Sequence, residues 1–215
     1  MQGGGSSVGI AAIIDGTCDI ADASRPMKET ELTKAMDNGR NPTANVVAMD
    51  GIAVILHPSN PINGLTKQQI KDIYTGVISD WSKSGGQSGK IVVVSRDSSS
   101  GTFEAFNEKA LDKARVRPDA LLEASNQAVA TVVSQTPQAI GYIGLGFIKD
   151  KVKAITVNDT VCNKTTVLSG TYTLARPLFM YTDGKPKGIV KEYVDFVLSS
   201  EGQKLVEEEG YVALK

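Results

Sequence analysis

One stretch constrains the fold more than any other: Ile91 to Phe106, Ile-Val-Val-Val-Ser-Arg-Asp-Ser-Ser-Ser-Gly-Thr-Phe-Glu-Ala-Phe. Ile91 to Val94 form an unbroken β-branched run, the pattern of a strand buried on both faces. Ser95 to Thr102 follow with hydroxyls, one Gly, one Arg and one Asp, and Phe103, Phe106, Ala110 and Leu111 then recur at helical spacing. The reading is strand, polar loop, helix N-terminus. A helix N-terminus leaves backbone N–H groups without intrahelical partners and carries partial positive charge. Gly101 lets a ligand approach those amides without a Cβ in the way. Ser98, Ser99, Ser100 and Thr102 supply hydroxyl donors, and Arg96 supplies a two-pronged fork for a tetrahedral oxyanion. Asp97 is placed to orient Arg96 or to accept a proton from the ligand. Helix N-termini are generic anion sites and hydroxyls at N-caps are commonly just caps, so this segment alone does not decide the matter.

A second segment of the same kind does more. Gly3-Gly-Gly-Ser-Ser-Val-Gly-Ile10 leads into an apolar helix, Ile10 to Ile14, ended by Asp15-Gly16. It lacks the Gly-Lys-Ser/Thr of a P-loop. Thr17 to Pro26 reads as a short strand running into a turn, with Ser24 and Arg25 at its C-terminal end, where ligands collect in open α/β sheets. Three strand-to-helix corners thus present hydroxyls, and two carry an arginine. One shared anion explains this better than three independent caps.

Composition narrows the partner. The 215 residues carry 23 Lys and Arg against 24 Asp and Glu, a formal net charge of −1. Nucleic-acid binders ordinarily show a strong basic excess, so nucleic acid is not the expected partner. No run reaches the roughly 18 apolar residues of a membrane helix. No signal peptide is visible, since Met1-Gln2-Gly3 opens directly on a Gly-rich loop, and the expectation is a native start that was removed or truncated. Cys18 and Cys162 fit neither a metal cluster nor a disulfide scaffold; two unpaired small hydrophobes are the expectation and a single disulfide the alternative. No metal and no cofactor is expected. His57, the one histidine, reads as a half-buried structural or surface residue. The Ser98–Ser100 run has no evident activating base and does not match a nucleophile elbow, so no catalytic residue is expected.

Gln2-Gly-Gly-Gly-Ser-Ser7, Gly16-Thr-Cys-Asp-Ile-Ala-Asp-Ala-Ser-Arg-Pro26 and Ser95-Arg-Asp-Ser-Ser-Ser-Gly-Thr-Phe103 resemble the phosphate-binding proteins of ABC-type phosphate uptake. The likeness runs on through Leu65–Gly76 to Trp81, Ala139–Phe147, Ala175–Tyr181 and the C-terminal helix, essentially the whole chain. It implies an α/β fold of two lobes, the type II periplasmic-binding-protein fold, with mixed sheets flanked by helices and two crossing hinge strands. It places residues 1–55 with 174–215 in the first lobe and 56–173 in the second, with the ligand in the cleft. Position by position, it implies phosphate binding by Ser6, Ser24, Arg96, Ser100, Gly101 and Thr102, with Ser7, Arg25, Asp97 and Ser98 as secondary candidates. Some members carry an aspartate at the position of Ser24, where it accepts the ligand's proton and helps exclude sulfate. Ser24-Arg25 marks the other branch.

The implied function is capture of inorganic phosphate and delivery to a membrane permease outside the cytoplasm. The rival ligands are sulfate and molybdate; the rival classes are a phosphoesterase and a truncated interaction module. Family members begin with a further strand and helix before the Gln-Gly-Gly-Gly loop. Their absence here implies a first lobe without a central strand, to be completed by a partner chain, a separate fragment or domain exchange.

In finer detail, Lys28–Met36 is expected as a helix and Val46–Leu56 as a strand interrupted at Asp50-Gly51. Thr66 caps a helix, Lys67–Tyr74, which Gly76 stops. Lys83–Lys90 reads as a flexible loop, Ala128–Val133 as a helix and Ile140–Ile148 as a Gly-spaced strand. Ile189–Glu209 reads as one long helix burying Val190, Tyr193, Val194, Val197 and Leu198. Trp81 and the tyrosines are expected as core or lobe-surface aromatics.

Overall fold

A computed structural model describes residues 4–214, so the Met1–Gly3 opening of the first loop lies outside the described residues. In chain order the strands are β1 (Ile20–Ala23), β2 (Pro42–Leu56), β3 (Gly64–Leu65), β4 (Val92–Arg96), β5 (Leu121–Glu123), β6 (Ala139–Gly144), β7 (Lys153–Ala154), β8 (Thr156–Val157) and β9 (Ala175–Asp183). The helices are α1 (Ser6–Ile14), α2 (Glu29–Asp37), α3 (Lys67–Thr75), α4 (Gly101–Leu111), α5 (Asn126–Gln135), α6 (Lys164–Leu168), α7 (Gly188–Leu198) and α8 (Ser200–Glu208). The chain forms two units. The first takes the N-terminal segment up to Asp50, then Ser99–Gly101, then Arg176 onward; the second takes Gly51–Ser98 and Thr102–Ala175.

In the first unit β1 runs antiparallel to β9, from Ile20 opposite Thr182 to Ala23 opposite Phe179, and β9 lies beside β2. α1 and α2 cover these strands with Ile10, Ile13, Ile14 and Ala35, which meet Ala21, Ala23, Phe179 and Tyr181 in one core. The β1–α2 turn is tied down by Tyr181, whose hydroxyl accepts from the Met27 amide at 3.0 Å. A β1 that is short and packed this firmly gives a fixed platform at its C-terminal end, where Ser24 sits.

In the second unit the order is β2-β6-β4-β5. β6 is antiparallel to β2 and parallel to β4, and β4 is parallel to β5, so the sheet is mixed. α5 lays Val129, Ala130 and Val133 on Ala53, Ile55, Val94 and Ile143. α3 carries the expected punctuation. The Thr66 hydroxyl accepts from the Gln69 amide at 3.1 Å, and Gly76 ends the helix at φ 89°. Trp81 is fully buried, with its indole N–H on the Gln138 carbonyl. The loop after it is anchored by Asp80, whose carboxylate accepts from the Ser82 and Gly89 amides.

Three sequence expectations need correction. Asp50-Gly51 does not interrupt the strand, and β2 is continuous for 15 residues. Gly51 is there for space: a Cβ on it would lie 2.5 Å from Cys162 Sγ and 2.8 Å from Val167 Cγ2. β6 stops at Gly144, and Leu145–Phe147 form a 3-10 turn. Ile52, opposite Gly144, gives its amide to the Leu174 carbonyl on its other side. The long C-terminal helix is two helices. Ser199 adopts an extended conformation (ψ 166°) and its hydroxyl caps α8 through the Gly202 amide. In α7 Val194 is buried and Tyr193 is 47% exposed, so the buried stripe is narrower than the periodicity suggests. Cys18 and Cys162 are both thiols.

Candidate anion-binding site

Ser6 is the first residue of α1, and its N-cap, Gly5, has no side chain to cap the helix. The Ser6 hydroxyl is therefore not used as a cap. It is buried and faces Ser24 at the end of β1. The Ser24 amide donates to Ser6 Oγ at 3.0 Å, and the two hydroxyl oxygens lie 3.2 Å apart. Arg176, near the start of β9, reaches the same residue, donating from Nη1 to the Ser24 carbonyl at 3.3 Å and to Ser24 Oγ at 3.2 Å. Its other edge is held by Asp50 of β2. Nη2 and Nε donate to Asp50 Oδ2 at 2.8 and 3.2 Å. Arg176 is 4% exposed and Asp50 1%.

The Ser99–Gly101 segment completes this part of the first unit. A Cβ on Gly101 would stand 2.1 Å from Ser6 Oγ and 2.4 Å from Ser24 Oγ, and one on Gly5 would stand 2.0 Å from the Ser99 carbonyl oxygen. Only glycine backbone fits against these two hydroxyls. Ser100, next to Gly101 in sequence, is buried. Counting protons shows what the arrangement offers. Ser6 Oγ accepts an amide and Ser24 Oγ accepts a guanidinium N–H, while the contact between them takes one of the two hydroxyl protons. One hydroxyl proton remains, next to the Gly101 backbone. Donors whose lone pairs are already occupied present hydrogen to whatever arrives, which is what an anion needs.

In the second unit β4 ends at Arg96, which is half-buried. Its Nε donates to the Glu123 carbonyl at 3.0 Å, Nη2 to the Ala124 carbonyl at 2.9 Å and Nη1 to Asn126 Oδ1 at 3.1 Å. The β5–α5 corner therefore helps to orient this guanidinium. The Arg96 amide donates to the Tyr142 hydroxyl at 3.0 Å, and that hydroxyl lies 2.9 Å from Ser95 Oγ. Burial pushes the Tyr142 phenol up to about 12 against the opposing pull of those two bonds, so it stays protonated. The ring stacks on Phe106 at 3.8 Å, which ties β6, β4 and α4 together under the Arg96 loop. Asp97 is half-buried, Ser98 exposed and Thr102, second residue of α4, buried.

The sequence candidates thus fall into groups. Ser6, Ser24, Ser100 and Gly101 belong to the first unit, where Ser6 and Ser24 meet directly. Arg96, Asp97, Ser98 and Thr102 belong to the second. Arg25 and Ser7 bind each other, Nη2 to Oγ at 3.2 Å. The Arg25 fork is bidentate on Glu31, both distances 2.8 Å, so this arginine clamps the end of β1 to α2. Burial alone would raise the Glu31 carboxyl, but hydrogen bonds from Arg25 and the Lys28 amide hold it below the ordinary value. Sequence reasoning missed Arg176 and Asp50. The signal was present: each is a charge set among mainly apolar neighbours in its strand, and a buried charge needs a partner. Among the described residues no group of three His, Cys, Asp or Glu side chains could hold a metal, and no helix is long and apolar enough to cross a membrane.

The family model described as a PBP superfamily domain matches residues 1–201. The phosphate-binding protein PstS of Staphylococcus epidermidis (strain ATCC 35984) is 35% identical over 97% of this chain and 68% of its own length. PstS of Borreliella burgdorferi is 34% identical over 98% and 78%. Among solved structures, a Clostridium perfringens protein described as the substrate-binding component of a phosphate ABC transporter, with phosphate bound, superimposes with a TM-score of 0.88. It is 34% identical, over 98% of this chain and 85% of that one. An ABC-type phosphate transport receptor from Vibrio cholerae gives 0.84 at 33% identity, over 98% and 86%. The chain belongs to the PstS phosphate-binding protein family within the PBP superfamily.

Proposed function

We propose that this chain captures inorganic phosphate and delivers it to the permease of an ABC transporter on the outer side of the cytoplasmic membrane. The observation that carries the reading is the Ser6–Ser24 hydroxyl pair, its lone pairs occupied by an amide and by Arg176, pressed against the glycine backbone that opens α4. Ser6, Ser24, Ser100 and Gly101 are the phosphate ligands of the first unit. Arg96 and Thr102 are the ligands assigned to the second, with Asp97 and Ser98 subsidiary to them. The work is binding, without catalysis: hydroxyl, amide and guanidinium donors replace the anion's hydration. We take residues 1–55 with 174–215 as one lobe and 56–173 as the other.

Calorimetric titration of phosphate into the chain, with its mass in solution measured alongside, tests this. The expected result is saturable binding of one phosphate per chain. A well-folded sample that gives no heat refutes the reading, and a mass above one chain supports self-association. Arg96→Ala is expected to abolish binding, and unchanged affinity removes Arg96 from the site.

One observation favours a second reading, a site for another tetrahedral oxyanion such as sulfate or molybdate. Among the described residues Ser24 touches only donors and hydroxyls, with no carboxylate to accept a ligand proton. Competition settles it. Sulfate that displaces phosphate at equal concentration favours the second reading.

A further inference from the structure

We infer that Arg176 is a positioning residue for the bound anion, acting through Ser24; this rests on phosphate capture as proposed above. An arginine needed only to neutralise Asp50 would spend its whole fork on that carboxylate. Here the fork is divided. Nε and Nη2 hold Asp50 Oδ2, while Nη1 turns away to the carbonyl and the hydroxyl of Ser24. Two hydrogens on one nitrogen thereby fix both the backbone and the side chain of the same serine. Occupying the Ser24 oxygen from behind leaves that hydroxyl, or its partner on Ser6, to act forward as a donor. A hydroxyl donates over about 2.7 Å, so an anion oxygen on Ser24 lies within about 6 Å of Nη1. At that range the guanidinium also favours the ligand's negative charge directly. Arg176 thus replaces a proton acceptor at this corner with a cation-backed donor, and the Ser24 corner recognises charge without reading the ligand's proton.

The test needs variants that fold. Arg176→Met alone would strand Asp50 as a buried charge, so Asp50→Asn is combined with it and no lone charge remains. Circular dichroism and melting check the fold, and phosphate affinity is measured by calorimetry. The double variant is expected to bind about 10- to 100-fold more weakly than the unaltered chain. Arg176→Lys, which keeps the charge, is expected to recover part of that loss. Ser24→Ala should weaken binding in the unaltered chain and add less than about 3-fold in the double variant, because both changes remove one device. Unaltered affinity in a folded double variant overturns the inference, as does a Ser24→Ala loss of equal size in both backgrounds. Should the double variant not fold, the same Ser24→Ala comparison in the Arg176→Lys background decides. Absence of phosphate binding in the unaltered chain refutes the proposed function itself, and is seen before any substitution is made.

Discussion

Gly101→Ala separates a role in binding from a role in folding. Gly101 opens α4, and its backbone is not in the left-handed region. Alanine is intrinsically better than glycine there, by about 0.5–1 kcal/mol. The added methyl, however, would stand 2.1 Å from Ser6 Oγ and 2.4 Å from Ser24 Oγ, with Ser6 Cβ at 3.0 Å. Ordinary carbon–oxygen contact lies above 3 Å, so both hydroxyls must move by about 1 Å. Crowding of this kind costs about 1–3 kcal/mol, which the helix preference partly offsets, and net stability should fall by no more than about 2.5 kcal/mol. Binding has no such offset. The one hydroxyl bond left for a charged ligand contributes about 1.5–3 kcal/mol, and losing it weakens binding by about 10- to 100-fold. The assay pairs a denaturant melt with a phosphate titration on the same preparation. A folded variant that binds phosphate within a few-fold of the unaltered chain would show that the hydroxyl pair is not the anion site.

The remaining predictions address the supports of the site. Tyr142→Phe orphans the buried Ser95 hydroxyl and the Arg96 amide and should cost about 2–4 kcal/mol of stability; a loss below about 0.5 kcal/mol in denaturant melts would contradict that. Glu31→Gln should destabilise by about 1–3 kcal/mol at neutral pH. The Glu31 carboxyl is held below its ordinary 4.5 in the folded chain, so its contribution is present above that value and fades as pH falls through the folded one. A penalty just as large in acid would sink the assignment. Ser24→Asp puts a carboxylate beside Arg176, which keeps it ionised. Phosphate, which has a proton to donate, should then gain on sulfate, and an unchanged ratio in competition titrations would refute the role given to Ser24.

Elements decided within a few residues were legible in the sequence. Thr66 and Gln69 form a reciprocal cap and Gly76 a left-handed stop, and α3 has those ends. Ile91–Val94 predicts a buried strand, and β4 is one. The failures share a cause. Asp50-Gly51 has the composition of a turn, but Asp50 is satisfied by Arg176, 126 residues away, and Gly51 by the space that Cys162 and Val167 leave. Ser199 looks like any polar residue on a helix until its hydroxyl is seen capping α8. For the candidate site, local pattern found Ser6 and Ser24 at two strand-to-helix corners but assigned the arginine to the neighbour in sequence, Arg25. The arginine that touches Ser24 comes from a distant strand. Periodicity and caps are local quantities, whereas pairing of buried charges is set by tertiary packing.

That pairing also bears on how a chain of net charge −1 holds an anion at all. Such a chain has no strong long-range field to draw phosphate in, and surface lysines would be screened beyond about 8 Å at physiological ionic strength. Donors fixed in advance and shielded from water escape that screening, and Arg176 is 4% exposed. The arrangement is costly. A buried ion pair seldom adds net stability over well-packed apolar residues, and two aliphatic side chains would join β2 to β9 at least as well. What an aliphatic pair cannot do is turn two N–H groups onto Ser24. Asp50 makes it tolerable to bury a cation at the corner where β1 ends, and the cation makes a serine into an obligate donor. The share of the affinity that rests on Arg176 should change little between low and physiological salt, because that charge is shielded from the solvent.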